Sequence, residues 1–240
     1  MFAKIYDSLL TIVYPQACQI CAGSVEHSAD GIACRVCWES TRIFSGSETI
    51  CDKCGNFLSD SGAPVTTFCH RCDEHFYDAA RAVGIYEKAL AASVVNLKTE
   101  NHTGATLRRF FISAFHHSNF PGVNLIIPVP LSKKRFHERG FNQAATLAEI
   151  IARETKIEID DASLTRQIHT PMHRAGMDKK ARELTVKNAF AVKRSELIKD
   201  RTILLVDDVF TSGATVSSCA KALKKAGASK VYVFTLARAV

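Results

Sequence analysis

Two carboxylates, a hydroxyl-rich turn and a helix follow one another without interruption near the end of this 240-residue sequence. The segment Ile203-Leu-Leu-Val-Asp-Asp-Val-Phe-Thr-Ser-Gly-Ala-Thr215 opens as an apolar run and reaches Asp207 and Asp208. It then passes through Thr211, Ser212, Gly213, Ala214 and Thr215 into residues of helical spacing. Free backbone N–H groups and the positive end of a helix dipole make such a turn a place for a phosphate. Gly213 and Ala214 allow close backbone approach, and the hydroxyls add donors. Acids beside a phosphate would repel it, unless they face sugar hydroxyls or a Mg²⁺ shell. The G-K-[ST] lysine of a Walker A loop is missing, and so is the G-x-G-x-x-G pattern of dinucleotide sites.

A second chemistry lies at the other end. Eight of the nine cysteines form four C-x-x-C pairs, Cys18/Cys21, Cys34/Cys37, Cys51/Cys54 and Cys69/Cys72. A two-residue spacing points both thiolates of a turn at one cation, and two such turns supply four sulfurs around Zn²⁺. Eight cysteines therefore imply two structural zinc ions. A disulfide framework needs an oxidising compartment, a redox motif needs a single C-x-x-C near a βαβ pattern, and iron–sulfur clusters fit regular paired knuckles less well than zinc. Sequential pairing (Cys18, Cys21, Cys34, Cys37, then Cys51, Cys54, Cys69, Cys72) closes shorter loops than an interleaved arrangement and is favoured on chain entropy. Cys219 stands apart on the helix after the acidic segment and reads as a small buried residue.

The elements that would position these groups follow from periodicity. Residues 79–86, 125–129, 189–192, 202–206 and 231–236 read as strands; residues 87–97, 106–116, 142–153 and 213–226 read as helices, the last stopping at Gly227. Strands alternating with helices indicate an α/β domain with a mainly parallel sheet. Residues 132–140 and 169–180 read as polar loops. Phe120, Phe136 and Phe141 read as core. Met1–Tyr14 has the spacing of an amphipathic helix rather than of an export signal, and the apolar runs are too short to span a bilayer. The division expected is residues 1–78, helix plus cysteine-rich region, and residues 79–240, α/β domain. Charge divides at the same place: 5 Lys and Arg against 10 Asp and Glu in the first part, 26 against 14 in the second. The basic part suits phosphate-rich ligands, a small pyrophosphate or a nucleic-acid backbone.

Residues 206–215 resemble the phosphoribosyl-pyrophosphate (PRPP) signature of type I phosphoribosyltransferases: an apolar residue, two acids, an apolar residue, one variable residue, then T-[ST]-G-x-T. Ile127-Pro-Val-Pro-Leu-Ser-Lys-Lys-Arg-Phe-His-Glu-Arg-Gly-Phe-Asn-Gln143 is similar to the hallmark of the ComF/GntX family. Arg182 with Val186 and Ala189-Phe190 resembles that family's next block, and the paired cysteines resemble its double zinc ribbon. The resemblance runs from about Pro15 to Arg238. It implies a type I phosphoribosyltransferase-like domain preceded by a small zinc-ribbon domain with four cysteines to each ion, in a cytoplasmic protein of natural transformation or of DNA use as nutrient. Carried over by position, Asp207 and Asp208 would be the catalytic pair and hold the ribose hydroxyls of PRPP, with magnesium accompanying it. Thr211, Ser212, Gly213, Ala214 and Thr215 would wrap the 5′-phosphate. Lys133–Arg139 would sit by the pyrophosphate with Arg135 and Arg139 as forked donors, and Lys98 would add charge. The sequence departs from the family's pattern at Arg174, Met177 and Thr185, where Gln, Leu and Asn are usual.

Two functions fit these features. One is transfer of phosphoribose to an acceptor, with pyrophosphate leaving. The other is a non-catalytic module that senses PRPP or a nucleotide while its basic surface binds single-stranded DNA. In either, the acidic ribbon region would dock other DNA-uptake proteins or brace the α/β domain.

Overall fold

A computed structural model describes residues 16–27, 30–58, 69, 72, 74–167 and 189–239. The expected helix at Met1–Tyr14 and the segment holding Arg174, Met177, Arg182, Thr185 and Val186 lie outside the described residues.

Four strands, β1 (Ala79–Ile85), β2 (Leu125–Pro128), β5 (Thr202–Phe210) and β6 (Lys230–Arg238), form one wholly parallel sheet in the order β1-β6-β5-β2. Their sequences lack polar alternation because both faces are covered: Ile203, Leu204, Leu205 and Val206 are all fully buried. A small antiparallel pair, β3 (Leu164–Arg166) with β4 (Phe190–Val192), stands beside it. The short β3 gives no periodic signal and is not expected from sequence.

One face of the sheet carries α2 (Lys88–Asn96), α3 (Ala105–His117) and α5 (Gln143–Thr155); the other carries α6 (Ala214–Lys225). Helix α6 buries Val216, Cys219, Ala220 and Leu223, a spacing of i, i+3, i+4, i+7 that puts one stripe on the sheet. Gly227, at φ +96°, ends it. Cys219 is buried in this stripe, as a small core residue should be.

The segment 132–140, expected as a loop, is instead a short helix, α4 (Lys133–Arg139). It buries no residue, so hydrophobic periodicity could not reveal it. Its ends do carry capping signals: Ser132 accepts from the Arg135 N–H, and Gly140 takes the left-handed conformation at φ +77°. Phe136 is 49% exposed there rather than in the core.

The cysteine-rich region packs on the sheet instead of standing away from it. Cys18, Cys34, Cys37 and Trp38, the last two on α1 (Arg35–Glu39), join the core on the α2/α3/α5 face. Cys51, Cys54, Cys72 and Tyr77 join the core on the α6 face. Residues 42–44 lie along the free edge of β1, with Phe44 N–H donating to the Val83 carbonyl (2.8 Å) and Ile85 N–H to the Arg42 carbonyl (3.0 Å). An exposed strand edge is a template for aggregation, and this contact blunts it. Only glycine fits at position 84, where a Cβ would stand 2.2 Å from the Arg42 oxygen.

Candidate phosphate and metal sites

Strand β5 does not stop at Val206 but runs on to Phe210, paired with β6 as far as Arg238. Asp207 and Asp208 are therefore fixed by the sheet ladder, two residues short of the strand's end, and not carried on a loop. Each accepts a hydrogen bond from the next backbone N–H, Asp208 N to Asp207 Oδ1 (2.9 Å) and Val209 N to Asp208 Oδ1 (2.8 Å). Asp207 retains some solvent contact but is packed round by protein on most sides. That burial, and then the negative charge of Asp208, push its pKa well above the ordinary carboxylate value.

The turn after β5 exposes Thr211 and Ser212 and buries Gly213. Gly213 has φ +77° and is the N-cap of α6, with no side chain to satisfy the helix's first N–H groups. Ser212 Oγ is 3.4 Å from the Ala214 nitrogen and accepts weakly from it, and Thr215 follows in the first turn. These amide donors, the hydroxyls and the dipole of a twelve-residue helix follow Asp207 and Asp208 directly along the chain.

Basic groups reach the acids through one residue given no role from sequence. Gln143, the first residue of α5 and only 4% exposed, donates from Nε2 to Asp208 Oδ2 (3.2 Å) and accepts at Oε1 from Arg139 Nη1 (2.8 Å). Asn142 caps the same helix, accepting from Ala144 N–H (3.1 Å), and ties it to the end of β2 by donating to the Val129 carbonyl (3.1 Å). Arg166, on β3, is a further residue that sequence reasoning misses. Burial and then the charge of Arg135 lower its pKa, while Asp207 acts in the opposite sense, so Arg135, Arg166 and Asp207 share one neighbourhood. Its short, barely apolar strand carries no motif that could flag it. The structure thus brings Asp207, Asp208, Arg135, Arg139 and the 211–215 turn together. Lys98 follows α2 and makes no side-chain hydrogen bond or ion pair among the described residues. Asn101, three residues on, accepts from the Thr146 hydroxyl in the first turns of α5.

The cysteines form two clusters, Cys18, Cys21, Cys34, Cys37 and Cys51, Cys54, Cys69, Cys72, with the sulfurs of each within 4.8 Å of one another. The grouping is sequential. Sulfur–sulfur distances run from 3.3 to 3.7 Å, close to the edge of about 3.8 Å that Zn–S bonds of about 2.3 Å require in a tetrahedron. Backbone N–H groups of Gly23, Cys34 and Cys69 donate to the sulfurs of Cys21, Cys18 and Cys51, which stabilises thiolates. The donor set supports zinc as the ion in both. Four protein ligands leave no open position, so the role is structural.

The double zinc ribbon family model matches residues 9–76, and the phosphoribosyl transferase domain model matches residues 142–239. The chain is 31% identical to the DNA utilization protein YhgH of Shigella flexneri, an alignment covering 96% of this chain and 99% of that one. It is 31% identical to competence protein F of Haemophilus influenzae over 92% of this chain and 96% of that one. It is 27% identical to competence protein ComFC of Bacillus subtilis over 85% and 90%. With a phosphoribosyltransferase-type parallel sheet, a double zinc ribbon and likeness along nearly its whole length, the chain belongs to the ComF/YhgH family of competence and DNA-utilisation proteins.

Proposed function

We propose that this protein binds PRPP together with Mg²⁺ at the β5–α6 junction and uses that site in the handling of DNA taken up by the cell. The observation that carries the reading is the arrangement of opposite charges. An acid pair fixed in a strand adjoins the N-terminus of a helix, and Gln143 links Asp208 to Arg139. A simple phosphate site has no use for two acids. A phosphorylated sugar does, because its hydroxyls need acceptors while its phosphates need donors. In this reading Asp207 and Asp208 receive the ribose hydroxyls, and the pKa of Asp207 is raised by burial and then by the charge of Asp208. The Thr211–Thr215 turn takes the 5′-phosphate. Arg135 and Arg139 face the pyrophosphate, and Lys98 adds charge there. Magnesium would neutralise the pyrophosphate when bound.

Transfer of phosphoribose would break the bond from C1 to pyrophosphate while an acceptor attacks. Positioning and stabilisation of the leaving group by Arg135, Arg139 and the turn would supply the rate. A non-catalytic module would use the same contacts to report PRPP while basic residues outside the ribbon hold single-stranded DNA. The DNA-related names of the relatives and the basic balance of residues 79–240 favour a DNA connection in both. We place the protein in the cytoplasm; no described helix is long and apolar enough to cross a membrane.

Calorimetric titration with Mg²⁺–PRPP, repeated on the Asp207→Asn/Asp208→Asn double variant, tests the reading. Binding by the wild type, lost in the variant, is expected. A wild type that fails to bind would sink the proposal. Pyrophosphate release across a panel of bases and single-stranded DNA then separates a transferase from a binding module.

A further inference from the structure

We infer that the second cysteine cluster positions the phosphate turn through His75, so that the turn keeps its shape only while Cys51, Cys54, Cys69 and Cys72 hold their ion. The inference rests on the PRPP reading of that turn for its consequence, though not for the coupling itself.

The contacts run in an unbroken path. His75 N–H donates to the Cys72 carbonyl (3.1 Å), so the knuckle sets where the imidazole stands. The ring stacks on Tyr77, centroids 5.0 Å apart, and Tyr77 meets Phe210 edge-on. Above it lies Gly213: a Cβ there would be 3.3 Å from His75 Cε1 and Nε2, and 2.7 Å from Phe210 Cζ. The turn thus rests its bare Cα on the imidazole. The next residue, Phe76, donates its N–H to Ser217 Oγ in the first turns of α6 (3.2 Å), and Lys221 places its ammonium over the Phe76 ring (4.7 Å). Across the cluster, Arg238 donates to the Cys54 carbonyl and to Asn56 Oδ1, while its guanidinium covers the Phe210 ring (4.6 Å). Both ends of the turn, Phe210 and Gly213–Ser217, are therefore seated on residues that the second cluster holds. The first cluster packs on the opposite face of the sheet, against Trp38 and its partners.

The physical consequence follows from how small metal sites fold. Described residues 69 and 74–78 belong to no helix or strand, and the ion's binding energy is the folding energy of such a segment. Without the ion the imidazole leaves. Gly213 has no side chain to fill the space, and the amide donors lose their fixed directions. A phosphate then has to order the turn on binding, which weakens its hold. Linkage requires the converse: a ligand on the turn must retain the ion in the second cluster.

The test uses full-length, zinc-loaded protein. Amide hydrogen exchange is followed in a peptide spanning 210–217, zinc is counted per chain, and Mg²⁺–PRPP affinity is measured. His75→Ala should keep two zinc ions, speed exchange in 210–217 by about tenfold and weaken PRPP by about tenfold, as loss of preorganisation would. His75→Phe, which restores a ring, should recover both. Ser217→Ala, a milder change, should speed exchange without loss of zinc. Wild-type exchange rates in His75→Ala and Ser217→Ala would overturn the inference. If His75→Ala does not fold, zinc extraction by a chromophoric chelator from wild-type protein that titration shows to bind PRPP decides: Mg²⁺–PRPP should slow the release of one ion of the two, and equal slowing of both or of neither would overturn it. A wild type that ignores PRPP, yet loosens at 210–217 when Ser217 is changed, would remove the ligand assignment and leave the coupling intact.

Discussion

Gln143 Nε2 stands 3.2 Å from Asp208 Oδ2, and the other end of the same amide accepts from Arg139. One neutral side chain thereby holds an acid and a base in register without letting them pair directly, which would leave neither for a ligand. Gln143→Leu should keep the volume and lose both hydrogen bonds. A stability loss of about 1–2 kcal/mol is expected for buried polar groups left without a partner. PRPP affinity should fall by about tenfold as Arg139 loses its anchor. Urea unfolding with parallel PRPP titration measures both; a variant equal to wild type in each would show that the amide is incidental.

Asp207 should lower stability for the sake of the site. Its folded pKa is raised, chiefly by burial and then by Asp208. A raised carboxyl pKa contributes stability that is complete below the unfolded value of about 4 and is lost as pH rises through the folded value. Asp207→Asn should therefore melt higher than wild type at pH 7, and the difference should shrink as the pH approaches 4. The same variant should bind PRPP poorly. A variant that melts lower at pH 7 than at pH 4, relative to wild type, would contradict the sign.

Much of this site is legible in the sequence, and the limits are physical. The apolar run into Asp207-Asp208 and the small turn are local features, so the strand, the turn and the helix can be read directly. The strand's continuation to Phe210 cannot, because pairing with β6 extends it past the charged residues. Helix α4 escapes notice because it buries nothing and only its caps declare it. Gln143 and Arg166 are missed as site residues for a different reason: their roles exist only once α5 and β3 are brought against β5, a long-range event without local signal. The cysteine spacing defines the clusters, but not that they flank the sheet.

Metal content should follow the two clusters separately. Purified protein should carry two zinc ions per chain, and Cys54→Ser should reduce this toward one while Cys219→Ser leaves it unchanged, since Cys219 lies on α6 in the core. Atomic emission on the folded variants makes the measurement. A Cys219→Ser protein short of zinc would refute the assignment.

Gly84 tests whether the ribbon must lie along β1. A Cβ there would stand 2.2 Å from the Arg42 oxygen and 2.8 Å from Leu90 Cδ1. Gly84→Ala should cost about 3 kcal/mol, the upper range for overpacking, because backbone rather than a flexible side chain must give way. Chemical denaturation reads the change, and a loss under about 0.5 kcal/mol would mean that residues 42–44 are free to lift off.

The strand order has a consequence for synthesis of the chain. Strand β6, the last of the described strands to be made, lies between β1 and β5 and joins them into one sheet. Until residues 230–238 have left the ribosome, β1 and the β5–β2 pair have no shared neighbour. The knuckles are made before the described strands and can capture their ions at once, but Arg238, which seats on Cys54 and Phe210, closes β6 and is made after the other described strands. Nascent chains should thus acquire metal long before they acquire a phosphate turn, and a chain truncated before residue 230 should be a zinc-loaded protein with no site.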